Sequence, residues 1–194
     1  MIQHEEAISA NNDWIQTHLG QKFHFWSHDP TEVHIEDVAR GLAQTCRWRG
    51  MYKAEIEFYS VAQHCVIASK MVPQYAKKFA LMHDAGEWPV GDMPKPIKGG
   101  LPDYKKLEGF LLSKICNRFK VPLSERVIKA VKTVDNWLLW EEGEQLLPNP
   151  ALLKEWHIAR LDNPWAPARF KIRPWMPREA EKQFLQQYKD VWNV

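Results

Sequence analysis

Wherever apolar residues recur along this chain, they recur at helical spacing. In residues 36–46, Val38, Leu42 and the pair Thr45–Cys46 fall at i, i+4 and i+7/i+8. Residues 60–72 carry a stripe of Val61, Cys65, Ala68 and Val72 that Pro73 ends, because proline lacks the N–H and clashes with the preceding turn. Residues 74–85 set Ala76, Ala80 and His83 on one side, with Leu81 and Asp84 beside them. Residues 103–119 are amphipathic through Tyr104, Leu107, Leu111 and Ile115. Ser124 can cap a helix whose stripe is Val127, Val131, Val134 and Leu138, since its hydroxyl can accept from a free first-turn N–H. Pro177, a favoured first-turn residue, opens a last helix with Ala180, Phe184, Tyr188 and Val191 facing inward. Extended signals are weak, at 22–26 and 170–173. Residues 148–150 and 164–177 read as irregular connections rich in proline and tryptophan. The pattern predicts an all-α protein: one helical bundle over residues 1–194, closing with a helix over about 177–192.

Composition narrows the picture little. At 194 residues, 45% hydrophobic and 26% charged, the chain suits one soluble domain with a sizeable core. No apolar run reaches the roughly 18 residues of a membrane span. The first residues, MIQHEEAISANNDW, lack a basic region followed by an apolar one, so no secretory signal is expected. Cys46, Cys65 and Cys116 are odd in number, far apart and set among apolar neighbours. They read as free buried thiols in a reducing compartment, which implies the cytoplasm. The net charge of +2 and the lack of any helix-turn-helix, zinc-finger or RNP pattern give no reason to expect a nucleic-acid polymer as partner. Residues 95–132 hold ten Lys/Arg against three Asp/Glu. That is either a solvated face or a field that draws in phosphate-bearing ligands.

Chemistry concentrates between Tyr59 and Asp92. His64 lies on one predicted helix, His83 and Asp84 on the next, and Asp135 on a third. Burying an unpaired carboxylate costs several kcal/mol, so something positive should sit beside Asp84. Two imidazoles and two carboxylates can fill four positions of a six-coordinate divalent ion and leave two open. Such mixed ligation suits Mn, Co, Ni, Fe or Zn, with Mg possible. Each residue has an ordinary alternative. A lone histidine on an apolar helix can be a satisfied core residue, and a second His–Asp pair, His28–Asp29, shows how easily the dipeptide arises.

The segments HIEDVARGLAQTCRW (34–48), FYSVAQH (58–64), HDAGE (83–87), GDMPKPIK (91–98), LPDYKKLE (101–108) and VDNWLLWEE (134–142) occur in that order. Together they resemble the HD-domain phosphohydrolase superfamily, and small prophage and bacterial HD proteins in particular. The likeness covers residues 22–142 and, more weakly, the tail from Pro177. It implies an all-helical HD domain with metal ligands at His64, His83, Asp84 and Asp135. A more distant likeness, to bacterial 5′-deoxynucleotidases, implies catalytic roles for Arg47 of the CRW motif, Glu87 of HDAGE and Asp92 of GDMP. The interval from His64 to His83 is shorter here than in that family, so nothing between them is carried over.

The expected activity is therefore hydrolysis of a deoxynucleoside 5′-monophosphate. Alternatives are dNTP triphosphohydrolysis, as in phage-type relatives, and metal-dependent nucleotide binding without turnover. Arg47 can grip a phosphate with paired N–H donors. On a continuing helix Glu87, three residues past Asp84, keeps to the metal side and can orient water or relay a proton. Asp92 can hold Arg47, bind a sugar hydroxyl or protonate the leaving oxygen. Lys98 can add positive charge at a phosphate. Trp48 and Trp88 are candidates to stack on a base, although either can equally serve in the core. Relatives of this type often assemble, and the apolar, tryptophan-rich ends of this chain suggest a homo-oligomer, dimer or larger.

Overall fold

In a computed structural model that describes residues 13–194, the chain is mostly helical. A two-stranded antiparallel hairpin, β1 (Trp14–Gln16) with β2 (Lys22–His24), comes first. Seven α-helices follow among the described residues: α1 (Ile35–Gln44), α2 (Val61–Lys70), α3 (Lys77–Met82), α4 (Lys95–Gly99), α5 (Pro102–Arg118), α6 (Glu125–Leu146) and α7 (Pro177–Trp192). No helix among the described residues is long and apolar enough to cross a membrane.

The middle of the bundle is α2. Every residue from Val61 to Ser69 is buried, as expected of a helix apolar on nearly all sides. Ser60 caps it by accepting from the N–H of Gln63, which satisfies one of the free first-turn donors. One side of α2 joins a core of Phe23, Leu42, Leu81, Leu111 and Phe184. Its Ile67 and Ala68 join a second core with Val131, Val134 and Leu138 of α6. α2 thus divides the interior, and His64 is fully buried within it. Ser124 caps α6 as the sequence predicts, accepting from Val127. All three cysteines are free, two of them buried.

Two expected elements differ. Residues 74–85 do not form one helix. A 3-10 turn (Gln74–Ala76) leads into α3, which ends at Met82, and a second 3-10 turn spans Ala85–Glu87. The cause is tertiary. A Cβ on Gly86 would lie 2.7 Å from the carbonyl oxygen of Glu108 in α5, so the chain tightens there to let α5 pass. Residues 170–173 form no strand. Their backbone groups are taken by glutamine side chains: Gln145 Oε1 accepts from Ile172, and Gln63 donates to the Arg173 carbonyl while accepting from Trp175.

Candidate metal centre and its cleft

The four expected ligands meet. His64 comes from α2, His83 and Asp84 from the end of α3, and Asp135 from α6. Ligand atoms of His64, His83 and Asp84 all lie within 4.8 Å of one another, so these three could hold a metal ion. His64 Nε2 is 3.2 Å from His83 Nε2 and 3.7 Å from Asp84 Oδ2. Asp135 Oδ1 is 3.4 Å from His64 Nε2 and 3.9 Å from His83 Nε2.

The far side of each ring fixes what the near side offers. His64 Nδ1 lies 2.6 Å from Glu142 Oε1, and His83 Nδ1 lies 2.8 Å from the Ala80 carbonyl. Both partners can only accept, so both Nδ1 atoms carry the proton. Neutral imidazoles then present bare Nε2 lone pairs to each other and to two carboxylates. Such a group is repulsive until a proton or a cation enters it. The electrostatics agree. Burial and then the Arg47 charge push His64 down, yet Glu142 and Asp135 outweigh them and its pKa is raised. Burial also opposes a charged His83, but Asp84 raises it well above its usual value. Asp135 is held well below the carboxylate range by His64 and His83 despite burial.

Glu142 was not singled out from sequence, yet it organises this side. It is fully buried on α6, two turns beyond Asp135. It accepts from Tyr59 Oη at 2.8 Å and from Arg47 Nε at 3.0 Å in addition to His64. Burial raises it, but Arg47 and then His64 bring it down to about 2. The signal available in the sequence was the i, i+7 spacing from Asp135, which puts both on one helix face.

Arg47 is buried, and Nη1 lies 3.4 Å from Asp84 Oδ2. Asp84, for which a divalent ion was the expected positive neighbour, thus also has one within the protein, and Arg47 is held by Glu142 and Asp84 with no hydrogen bond to Asp92. Its segment runs antiparallel to the start of α2, with Arg47 N–H donating to Tyr59 O. Tyr52 Oη sits 2.5 and 2.6 Å from the carbonyls of Arg47 and Tyr59 and shares its proton between them. Immediately afterwards Trp48, Arg49 and Gly50 all take positive φ, at 56°, 54° and 76°. A left-handed residue with a Cβ costs about 1–2 kcal/mol, and such strain gathers at functional sites.

Glu87 reaches the same cleft from its 3-10 turn. It is 4% exposed, Oε1 lies 3.4 Å from Lys98 Nζ, and Oε2 has no partner. Burial, then Asp84 and Asp92, raise its pKa to about 10. Lys98, on α4, is held mainly by Glu108 at 2.5 Å. Of the basic run 95–132, Lys95 and Lys98 line the cleft, and Lys114 is buried against Glu32. The run therefore does not act as one field.

The cleft measures about 620 Å3. Arg47, Asp84, Glu87, Asp92, Lys98 and Asp135 line it, together with an apolar wall that includes Trp48, Leu139, Trp156 and Ile158. Of the two tryptophans offered for stacking, Trp48 lines the cleft. Trp88 does not; its ring packs on Phe23 at 4.8 Å and its backbone against Gly41 of α1. Trp156 was missed, because it lies in a stretch with no periodicity.

Helical bundle and cluster together define a mostly helical protein with a nitrogen–oxygen candidate metal centre beside a cleft. No family model matches the chain. It is 32% identical to the uncharacterized protein YfdR of Escherichia coli strain K12 over 178 residues, 92% of this chain and 95% of that protein. It is 30% identical to the uncharacterized protein RCAP_rcc00048 of Rhodobacter capsulatus over 143 residues, 69% and 72% of the two chains. The chain belongs to the family of these proteins.

Proposed function

We propose that this chain is a metal-dependent phosphohydrolase of the HD-domain superfamily, cleaving a deoxynucleoside 5′-monophosphate to deoxynucleoside and phosphate. The observation that carries the reading is the convergence of the His64 and His83 Nε2 atoms with the carboxylates of Asp84 and Asp135 beside Arg47 and Glu87. The donor set fits a divalent ion held by His64, His83, Asp84 and Asp135. Two imidazoles favour Mn, Fe, Co, Ni or Zn over Mg. When bound, such an ion polarises a phosphoryl oxygen and makes water more acidic.

The chain's own groups supply the rest. Arg47 spends Nε on Glu142 and Nη1 on Asp84, which leaves Nη2 to reach a phosphate oxygen where transition-state charge spreads. Glu87 keeps a proton at neutral pH in the metal-free protein, and its carboxyl borders the cleft, where it can pass that proton to the leaving oxygen. Asp92 has no hydrogen-bonded partner and borders the same space, which suits a sugar hydroxyl or the leaving oxygen. The resemblance to deoxynucleotidases supplies the deoxyribose.

A second reading, cleavage of a dNTP to nucleoside and triphosphate, is favoured by Arg49 and Lys95, exposed cations of the cleft lining that carry no ion pair. Purified protein incubated with Mn2+, Co2+, Ni2+, Mg2+ or Zn2+ and each dNMP and dNTP separates the two. Phosphate release from a dNMP with no product from triphosphates is the expected result. Triphosphate release would move the assignment to the second reading. Nucleotide binding without turnover under every metal would remove the enzyme.

A further inference from the structure

The apolar wall of the cleft is made from two pieces far apart in sequence. Trp48 is carried on the strained left-handed turn, directly after Arg47. Trp156 follows the 3-10 turn Pro150–Glu155. The two indoles lie nearly parallel, 17° apart with centroids at 5.6 Å, and Trp140 of α6 leans on Trp156 at 6.2 Å. Buried indole N–H groups normally find an acceptor. Here Nε1 of both Trp48 and Trp140 is buried with none. Trp48 and Trp156, which both line the cleft, thus set aromatic surface beside a site for a phosphate, with Trp140 packed behind.

Residues 156–163 form a strap over α6. Its buried anchor is Leu153, seated where a Cβ on Gly143 would lie 2.8 Å from its methyls. Beyond it the attachments are polar and exposed. Asn136, the residue after Asp135, donates to Ala159 O and accepts from Leu161 N–H. Arg160 forks onto Glu141 and Glu144 at 2.7 and 2.6 Å. A segment held by exposed polar contacts opens at low cost compared with the core, so the strap can yield to a planar ligand without disturbing the helices.

We propose that Trp156, held by this strap, is a specificity-determining residue that stacks on the nucleobase against Trp48, while the phosphate lies toward Arg47. The inference rests on the nucleotide reading above and extends it to the base. The face of the base supplies the stacking partner for the two indoles that line the cleft.

Calorimetric titration of the full-length Glu87→Gln protein with Mn2+ tests this, since that background keeps the nucleotide intact. The probes are dAMP and the abasic 2-deoxyribose 5-phosphate. Adding Trp156→Ala is expected to weaken dAMP about tenfold or more and to leave the abasic phosphate within about twofold. Trp156→Phe keeps most of the dAMP affinity. Arg160→Ala, which loosens the strap without removing the ring, weakens dAMP a few-fold and spares the abasic probe. These two variants answer the question even if the alanine protein fails to fold. Equal losses for both probes, an unchanged dAMP affinity, or a parent protein that binds dAMP no better than the abasic phosphate would overturn the proposal. Base-dependent binding in a wild-type protein that hydrolyses nothing would leave the base site standing and sink the hydrolase.

Discussion

Behind one wall of the cleft, which Asp84 and Asp135 line, His64 and His83 project from or abut helices whose backbones are satisfied internally, and each imidazole is fixed from behind by an acceptor. On the other, Trp48 and Trp156 sit on segments without periodicity, one strained and one tied down by exposed side chains. The first wall is over-determined: several partners hold each group in an orientation that is repulsive when empty. The second is under-determined, with aromatic surface and unmet donors but few constraints. A site that needs accurate placement of charge and tolerance of a bulky ligand would divide its labour in this way.

The largest effect should come from breaking the rigid wall at a ligand. His83→Ala is expected to drop bound metal from about one ion per chain to near none by elemental analysis, and phosphate release to background. Retained stoichiometric metal would show that the ion sits elsewhere.

Next comes Glu87. Glu87→Gln should keep the metal and lose about 10²-fold or more in turnover. It carries a second signature through pH. The folded pKa, about 10, lies above the roughly 4.3 of a free glutamate. Stability from the neutral form is therefore complete below about pH 4 and drains away as pH rises toward 10. Metal-free Glu87→Gln should accordingly melt above the parent at pH 8 and alongside it near pH 4. Equal melting points at both would mean that the carboxyl is not held neutral.

The smallest of the three concerns what stands behind the ligands. Glu142→Gln keeps the shape but removes the negative charge that faces His64 and Arg47. Metal affinity should fall about 10–100-fold, read by competition with a chelator, while the far-UV spectrum stays unchanged. An undiminished affinity would make Glu142 a packing residue only.

These walls differed equally in how far the sequence revealed them. Helical spacing placed His64 and Asp135 on separate helices, and the ordered motifs of the HD resemblance joined them to His83 and Asp84, which follow the end of α3. It did not reveal Glu142, since Glu141, Glu142 and Glu144 look like one acidic surface until the register of α6 is fixed. It missed the break after Met82, whose cause is the passage of α5 across Gly86. It offered Trp48 and Trp88 as equals, although Trp88 faces Phe23. It could not find Trp156, whose place depends on long-range bonds from Asn136 and Arg160 rather than on any local pattern.

Gln63, the residue before His64, grips the chain on both sides of Pro174 by donating to Arg173 and accepting from Trp175. The last twenty residues are thereby tethered one peptide unit from the innermost histidine. Shortening this protein from its C-terminal end would unlatch the helix that carries His64.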